Sequence, residues 1–122
     1  MMELSFAFLD TELSVVQTDR AVVPDAVPVF FARTEDEYSL VCPASAVPAE
    51  GVLAREDGWA AFRICGTLDF GLIGILAKVS SALAEAGVGI FAVSTYDTDY
   101  VLFKKEKLSA VKQALSAVGK IV

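Results

Sequence analysis

The chain has 122 residues, enough for one compact domain or two half-size modules, and too few for a cofactor domain joined to a substrate domain. Its 55% hydrophobic content and mean hydropathy of +0.56 exclude the polar, charge-rich composition of disordered chains. Ten Lys and Arg against sixteen Asp and Glu leave a net charge of −6, which removes any long-range attraction for nucleic acid or an anionic membrane surface.

In chain order, Met1 to Leu9 carries Glu3, no basic residue and only a brief apolar run before Asp10, so no signal peptide is expected and the chain is expected in the cytoplasm. Leu13 to Thr18 (LSVVQT) reads as a strand. Asp19 to Pro28, with Pro24 and Pro28, is too short and too proline-bound for a full helix. Val29 to Val41 (VFFARTEDEYSLV) overlays Phe91 to Phe103 (FAVSTYDTDYVLF) at an offset of 62, with Glu37 on Asp99 and Tyr38 on Tyr100. Both segments run into what looks like a helix start, at Ala44 to Val47 and at Glu106 to Leu108. Pro48 to Gly58 is a polar junction with one short strand expected around Val52 to Ala54.

The second half repeats the plan in full. Trp59 to Cys65 (WAAFRIC) fits a buried strand. From Leu72, the apolar residues Leu72, Ile75, Leu76, Val79, Leu83 and Ala86 recur at helical spacing, with Asp69 or Thr67 as the expected cap and Gly87 as the left-handed stop. Ile90 to Thr95 and Asp99 to Phe103 form a hairpin around Tyr96-Asp97-Thr98. Leu108, Val111, Leu115 and Val118 line a second helix closed by Gly119, and Lys120 to Val122 adds a short edge strand. The order β-α-β-β-α-β is the ferredoxin-like plan of an α+β fold. Two modules are therefore expected: a degenerate one at residues 1–58 and a complete one at 59–122, sharing a sheet or core.

Catalytic chemistry finds little footing. The chain has no histidine, which removes the commonest general base and metal ligand. Cys42 and Cys65 stand far apart, cannot close a zinc site by themselves, and read as buried, reduced, hydrophobe-like residues. No nucleophile with an adjacent base stands out, so neither an enzyme nor a metal or other cofactor is expected.

The segments Gly66-Thr-Leu-Asp-Phe-Gly-Leu-Ile-Gly-Ile-Leu-Ala, Leu83-Ala-Glu-Ala-Gly-Val and Ile90-Phe-Ala-Val-Ser-Thr-Tyr-Asp-Thr-Asp-Tyr-Val-Leu, with Glu37-Tyr-Ser-Leu-Val-Cys-Pro and Glu56-Asp-Gly-Trp upstream, resemble the small tandem ACT-domain proteins. These are related in organisation to the Castor-type arginine sensors. The resemblance implies a pair of ACT modules, regulatory domains that bind a small amino acid. In those relatives the positions matching Asp99, and Asp69 and Leu72 of the helix-start loop, contact the ligand. The relatives' glycine is Asp69 here and their acid is Leu72, which leaves a smaller or neutral amino acid open beside arginine.

The residues themselves are compatible with this. A strand followed by a helix opening at Asp69-Phe70-Gly71-Leu72-Ile73-Gly74 presents backbone N–H groups at the positive end of a helix dipole, suited to a carboxylate. Thr98 and Asp99 stand at the hairpin, with Asp99 expected as an unpaired acid for an ammonium or cationic side chain. The competing readings are that Asp69 is a helix cap, that Gly74 is glycine for packing, and that Asp99 is an ordinary turn acid. Two function classes stay in play: an amino-acid-binding regulatory module, expected as a homodimer acting on an unknown regulated protein, and an interaction module that oligomerises without a ligand.

Overall fold

Alternating apolar residues and two amphipathic stretches build the elements of the computed structural model, which describes residues 4–65 and 74–122. In chain order these are β1 (Ser5–Phe8), β2 (Leu13–Thr18), β3 (Phe30–Arg33), β4 (Tyr38–Pro43), β5 (Val52–Cys65), α1 (Ile75–Glu85), β6 (Phe91–Ser94), β7 (Asp99–Lys104), α2 (Leu108–Ser116) and β8 (Lys120–Ile121). Three-residue 3-10 turns follow β4 and β7, at Ala44–Ala46 and Lys105–Lys107. The chain divides into two compact units, one made of the described residues up to Asp10 with Ala60–Val122, the other of Thr11–Trp59.

In the first unit the strand order is β8-β1-β5-β7-β6. β1 runs antiparallel to β5, from Ser5 opposite Cys65 to Phe8 opposite Phe62, and β8 runs parallel to β1. The elements from β5 onward follow the expected β-α-β-β-α-β order, and β1 adds a strand between the first and last of them. Phe6, Phe62, Ile64, Val101 and Phe103 share a core with Val79 and Leu83 of α1 and Val111 and Leu115 of α2. Period two on the strands and period 3.6 on the helices bring these side chains to one layer. Phe6 meets the Phe62 ring edge-on at 5.6 Å. Each such fully buried side chain contributes about 1.5–3 kcal/mol, which holds helices too short to persist alone.

The helix ends differ from expectation in instructive ways. α1 is described from Ile75, with Gly74 before it in the left-handed region at φ 86°, while the expected start at Leu72 and the expected caps Asp69 and Thr67 lie outside the described residues. At its other end Gly87 has φ 76°, as expected, and closes a Schellman motif. Val88 N–H donates to the Leu83 carbonyl at 2.9 Å and Gly87 N–H to that of Ala84 at 3.0 Å. Gly119 is not a left-handed stop: it has no positive φ, and a Cβ there would run into the carbonyl of Leu4. Close approach of β1 is what requires glycine at that position.

The second unit orders its strands β3-β4-β2-β5, with β2 antiparallel to both β4 and the first part of β5. Val16, Leu40 and Cys42 form its core, with Val29, Phe31, Val47 and Val52 packed against them. Among the described residues it has no α-helix. Pro24 and Pro28 interrupt the segment after β2, and the expected helix start after Pro43 is only the 3-10 turn. The polar junction expected from Pro48 to Gly58 is mostly strand, because β5 is a single 14-residue element. Gly58, with φ 82°, makes this possible: from Leu13 to Val15 on β2 the partner residue moves from Trp59 to Glu56, so β5 carries a bulge.

The two hairpins that the sequence overlays correspond in geometry one residue away from the expected offset. Arg33 opposite Tyr38 closes one four-residue loop and Ser94 opposite Asp99 closes the other. Tyr38 and Asp99 therefore correspond, as do the 3-10 turns at Ala44 and Lys105, both 61 residues apart. A slip of one residue exchanges the faces of a strand. In the observed alignment buried Leu40, Val41 and Cys42 fall on buried Val101, Leu102 and Phe103.

Candidate functional site

α1 opens with its first intrahelical bond from Lys78 N–H to the Gly74 carbonyl, at 2.9 Å. The N–H groups of residues 75–77 therefore have no partner within the helix, and among the described residues neither a side-chain cap nor an acid in the first turn occupies them. A Cβ at Gly74 would meet nothing within 4 Å among the described residues, and the glycine there takes the left-handed φ of 86°.

On the β6–β7 hairpin, Thr98 offers its carbonyl to the Thr95 N–H at 2.8 Å and to the Thr95 hydroxyl at 3.1 Å, which fixes the turn. Asp99 is half-buried and is not the unpaired acid expected: the Ser94 hydroxyl donates to its Oδ1 at 2.5 Å. The two residues form the pair that closes the hairpin, so their side chains stand side by side. Oδ2 has no hydrogen-bond partner among the described residues. Ser94 is the neighbour of Asp99 that the sequence reading missed, and its signal was the four-residue turn separating the two. Asp69, Phe70, Gly71, Leu72 and Ile73 lie outside the described residues, so of the candidate set the structure describes Gly74, Thr98 and Asp99.

The second unit holds an open cavity of about 480 Å³ at the end of β2, lined by Gln17 to Asp19, Arg33 to Tyr38, and Leu53. Asp19 donates its backbone N–H to the Gly51 carbonyl, and its carboxylate accepts from Arg20 Nε at 2.6 Å. The hydrogen bond from Arg20 holds the Asp19 carboxyl below its ordinary value. On β2, buried Ser14 donates to Asp57 Oδ1 at 2.5 Å, which also receives Arg55 Nε at 2.7 Å. Cys42 is a free, buried thiol pushed up by desolvation, while Cys65 is free and half-buried. Among the described residues no cluster of three or more ligating side chains could hold a metal ion, and no helix is long and apolar enough to cross a membrane.

A family model for the ACT domain matches residues 54–117, more than half of the chain. The chain belongs to the ACT-domain family. Among solved structures, this ACT chain is similar to a protein from Agrobacterium tumefaciens, with 27% identity, a TM-score of 0.87, and coverage of 100% of this chain and 94% of that one. It is also similar to a Vibrio cholerae protein of unknown function described as a possible transport protein, at 19% identity and TM-score 0.76, covering 95% and 90% of the two chains. The ligand-free regulatory subunit of aspartate kinase from Thermus thermophilus has 13% identity and TM-score 0.62, with 90% and 95% covered. The last two speak to the fold alone. No protein of curated function matches the sequence. The ACT match takes in β6, β7, α1 and the whole of α2, and so both described parts of the candidate site.

Proposed function

We propose that the chain is a cytoplasmic, amino-acid-binding regulatory module without catalytic activity of its own. The ligand is held where the loop from Asp69 to Gly74 meets the hairpin at Thr98 and Asp99. Its carboxylate lies on the N–H groups at the start of α1, and its amine or side chain reaches Asp99 Oδ2, with Ser94 holding Oδ1 in place. The observation that carries this reading is the ACT-domain match over residues 54–117, whose family is one of regulatory domains. Among the described residues the start of α1 has no side-chain cap and Asp99 Oδ2 has no hydrogen-bond partner, which supports the reading chemically.

The same reading takes residues 1–58, which hold most of the second unit, as a degenerate ACT module beside a complete one at 59–122, as in the Castor-type tandem proteins. Its strand order β3-β4-β2-β5 is the ferredoxin-like order without helices, and its hairpin and 3-10 turn recur 61 residues on. β8 lies at a sheet edge in the first unit, which supports a homodimer joined through that edge and acting on a regulated protein partner. A monomer mass by light scattering at high micromolar concentration would argue against the dimer.

A thermal-shift screen of the twenty amino acids tests the reading. One or a few should raise Tm saturably, by the equivalent of about 2.7 kcal/mol at a hundred times Kd. A stable oligomer indifferent to all twenty would instead make the chain an interaction module.

A further inference from the structure

The outer face of the two helices of the first unit is short of charge. α1 carries only Lys78 and Glu85 among its 11 residues, and α2 only Lys112 among its 9. Lys112 is engaged, its ammonium lying 5.5 Å from the centroid of the Phe8 ring. Lys78 and Glu85 are exposed and, among the described residues, neither has an ion-pair partner. Both also stand against their own helix dipole, the cation in the first turn of α1 and the carboxylate in its last, where each is disfavoured. Nothing among the described residues offsets this placement.

Between the helices runs an open groove of about 430 Å³. Its walls are five alanines on and just after α1 and α2, and its polar side chains are Glu85 and Gln113. Alanine walls with a single carboxylate match an aliphatic chain that ends in an ammonium, which lays its methylenes along the apolar surface and keeps its charge at the mouth. That is the chemistry of a lysine side chain.

Lys78 has this chemistry, and its position supplies the geometry. At about 3.6 residues per turn, Lys78, Ala82 and Glu85 fall on one stripe about 60° wide, with Lys78 and Glu85 about 10 Å apart along the axis. Two turns apart, they are beyond the neighbours that pair within a single helix. A second α1 lying antiparallel across this stripe, about a twofold axis between Ser81 and Ala82, brings Lys78 of each copy opposite Glu85 of the other. Ser81 and Ala82 meet at the centre and are small enough for the helix axes to approach within about 8 Å.

We propose that this face joins two copies of the chain, α1 against α1, with the Lys78 side chain of each seated in the other's groove and its ammonium on Glu85. The two ion pairs are equivalent, so the contact closes on itself, and the antiparallel helices oppose their dipoles. The interface is separate from the β8 edge and needs no amino acid.

The test is light scattering of the full chain and its charge-reversed variants at high micromolar concentration. Lys78→Glu and Glu85→Lys each turn both attractions into repulsions. Each should halve the mass of the wild-type assembly, from dimer to monomer or, where the β8 edge also joins copies, from tetramer to dimer. Both positions are exposed and each reversal accords with the dipole of α1, so circular dichroism should show the variants folded. An equimolar mixture of the two variants has opposite charges at both contacts and should regain the wild-type mass, as should the chain that carries both changes. A monomeric wild type, single reversals that leave the mass unchanged, or a mixture that stays at the mass of its components would each overturn the inference.

Discussion

Replacing Gly119 by Ala places a methyl group against the carbonyl of Leu4, the atom that accepts the Lys120 N–H at 2.8 Å. Relief requires β8 to draw away from β1, which breaks that bond and loosens the one from Val122 N–H to Phe6 at 2.9 Å. One to two hydrogen bonds at about 1 kcal/mol each, with the strain of an overfilled contact, give a loss of about 2–4 kcal/mol. For a chain of this size that lowers Tm by roughly 10 °C. Gly87→Ala is the control: its Cβ meets nothing within 4 Å, so only the left-handed φ of 76° opposes it, at about 1–2 kcal/mol. Asn tolerates that conformation and should recover part of the loss at position 87, but none at 119. Urea and thermal unfolding followed by circular dichroism would measure all four variants. Gly119→Ala within about 0.5 kcal/mol of wild type, or Gly119→Asn more stable than Gly119→Ala, would refute the close-approach argument.

Three further outcomes follow from the packing. Burial raises the Cys42 pKa, so the stability tied to its protonated form is complete below the unfolded thiol's value of about 8.5 and is lost as pH rises from there through the folded value; Cys42→Ala should lose less stability than wild type between pH 7.5 and 9.5 in urea titrations. Ser14→Ala removes the buried hydrogen bond to Asp57 and should cost about 1.5 kcal/mol, moderated because the Asp57 side chain is half-exposed and water replaces the donor. A truncation beginning at Gly58 deletes β1 and with it Phe6, fully buried in the core of the first unit, so it should lose cooperative melting at the full-length temperature.

The βαββαβ order of the second half was legible because each element carries its own periodicity and its own stop, as at Val79, Leu83 and Gly87. The length of β5 was not: Glu56-Asp57-Gly58 reads locally as a turn, and it stays in the strand only because Gly58 bulges while Ser14 and Arg55 hold Asp57. The likeness of the two hairpin segments was visible in the sequence, but two tyrosines drew Tyr38 onto Tyr100, whereas turn geometry pairs Tyr38 with Asp99. Gly119 shows the same limit, since a glycine after a helix looks like a stop until the distant strand it admits is known. Asp99 was picked out as an acid beside a turn; its hydrogen bond to Ser94 depends on cross-strand register, which residue types alone do not fix. The cavity at Arg33 to Tyr38 was not legible in the sequence for the same reason, because only the pairing of β2 with β4 brings Thr18 beside it.

The most direct test of the proposed function is calorimetric titration of the full chain and its Asp99→Ala variant with the amino acid that stabilises it most in the thermal screen. Removing a charge-assisted hydrogen bond worth about 1.5–3 kcal/mol should weaken binding roughly ten- to a hundredfold while the variant melts as a folded protein. Unchanged affinity in a folded Asp99→Ala variant would contradict the assignment of the ligand to the start of α1 and the β6–β7 hairpin.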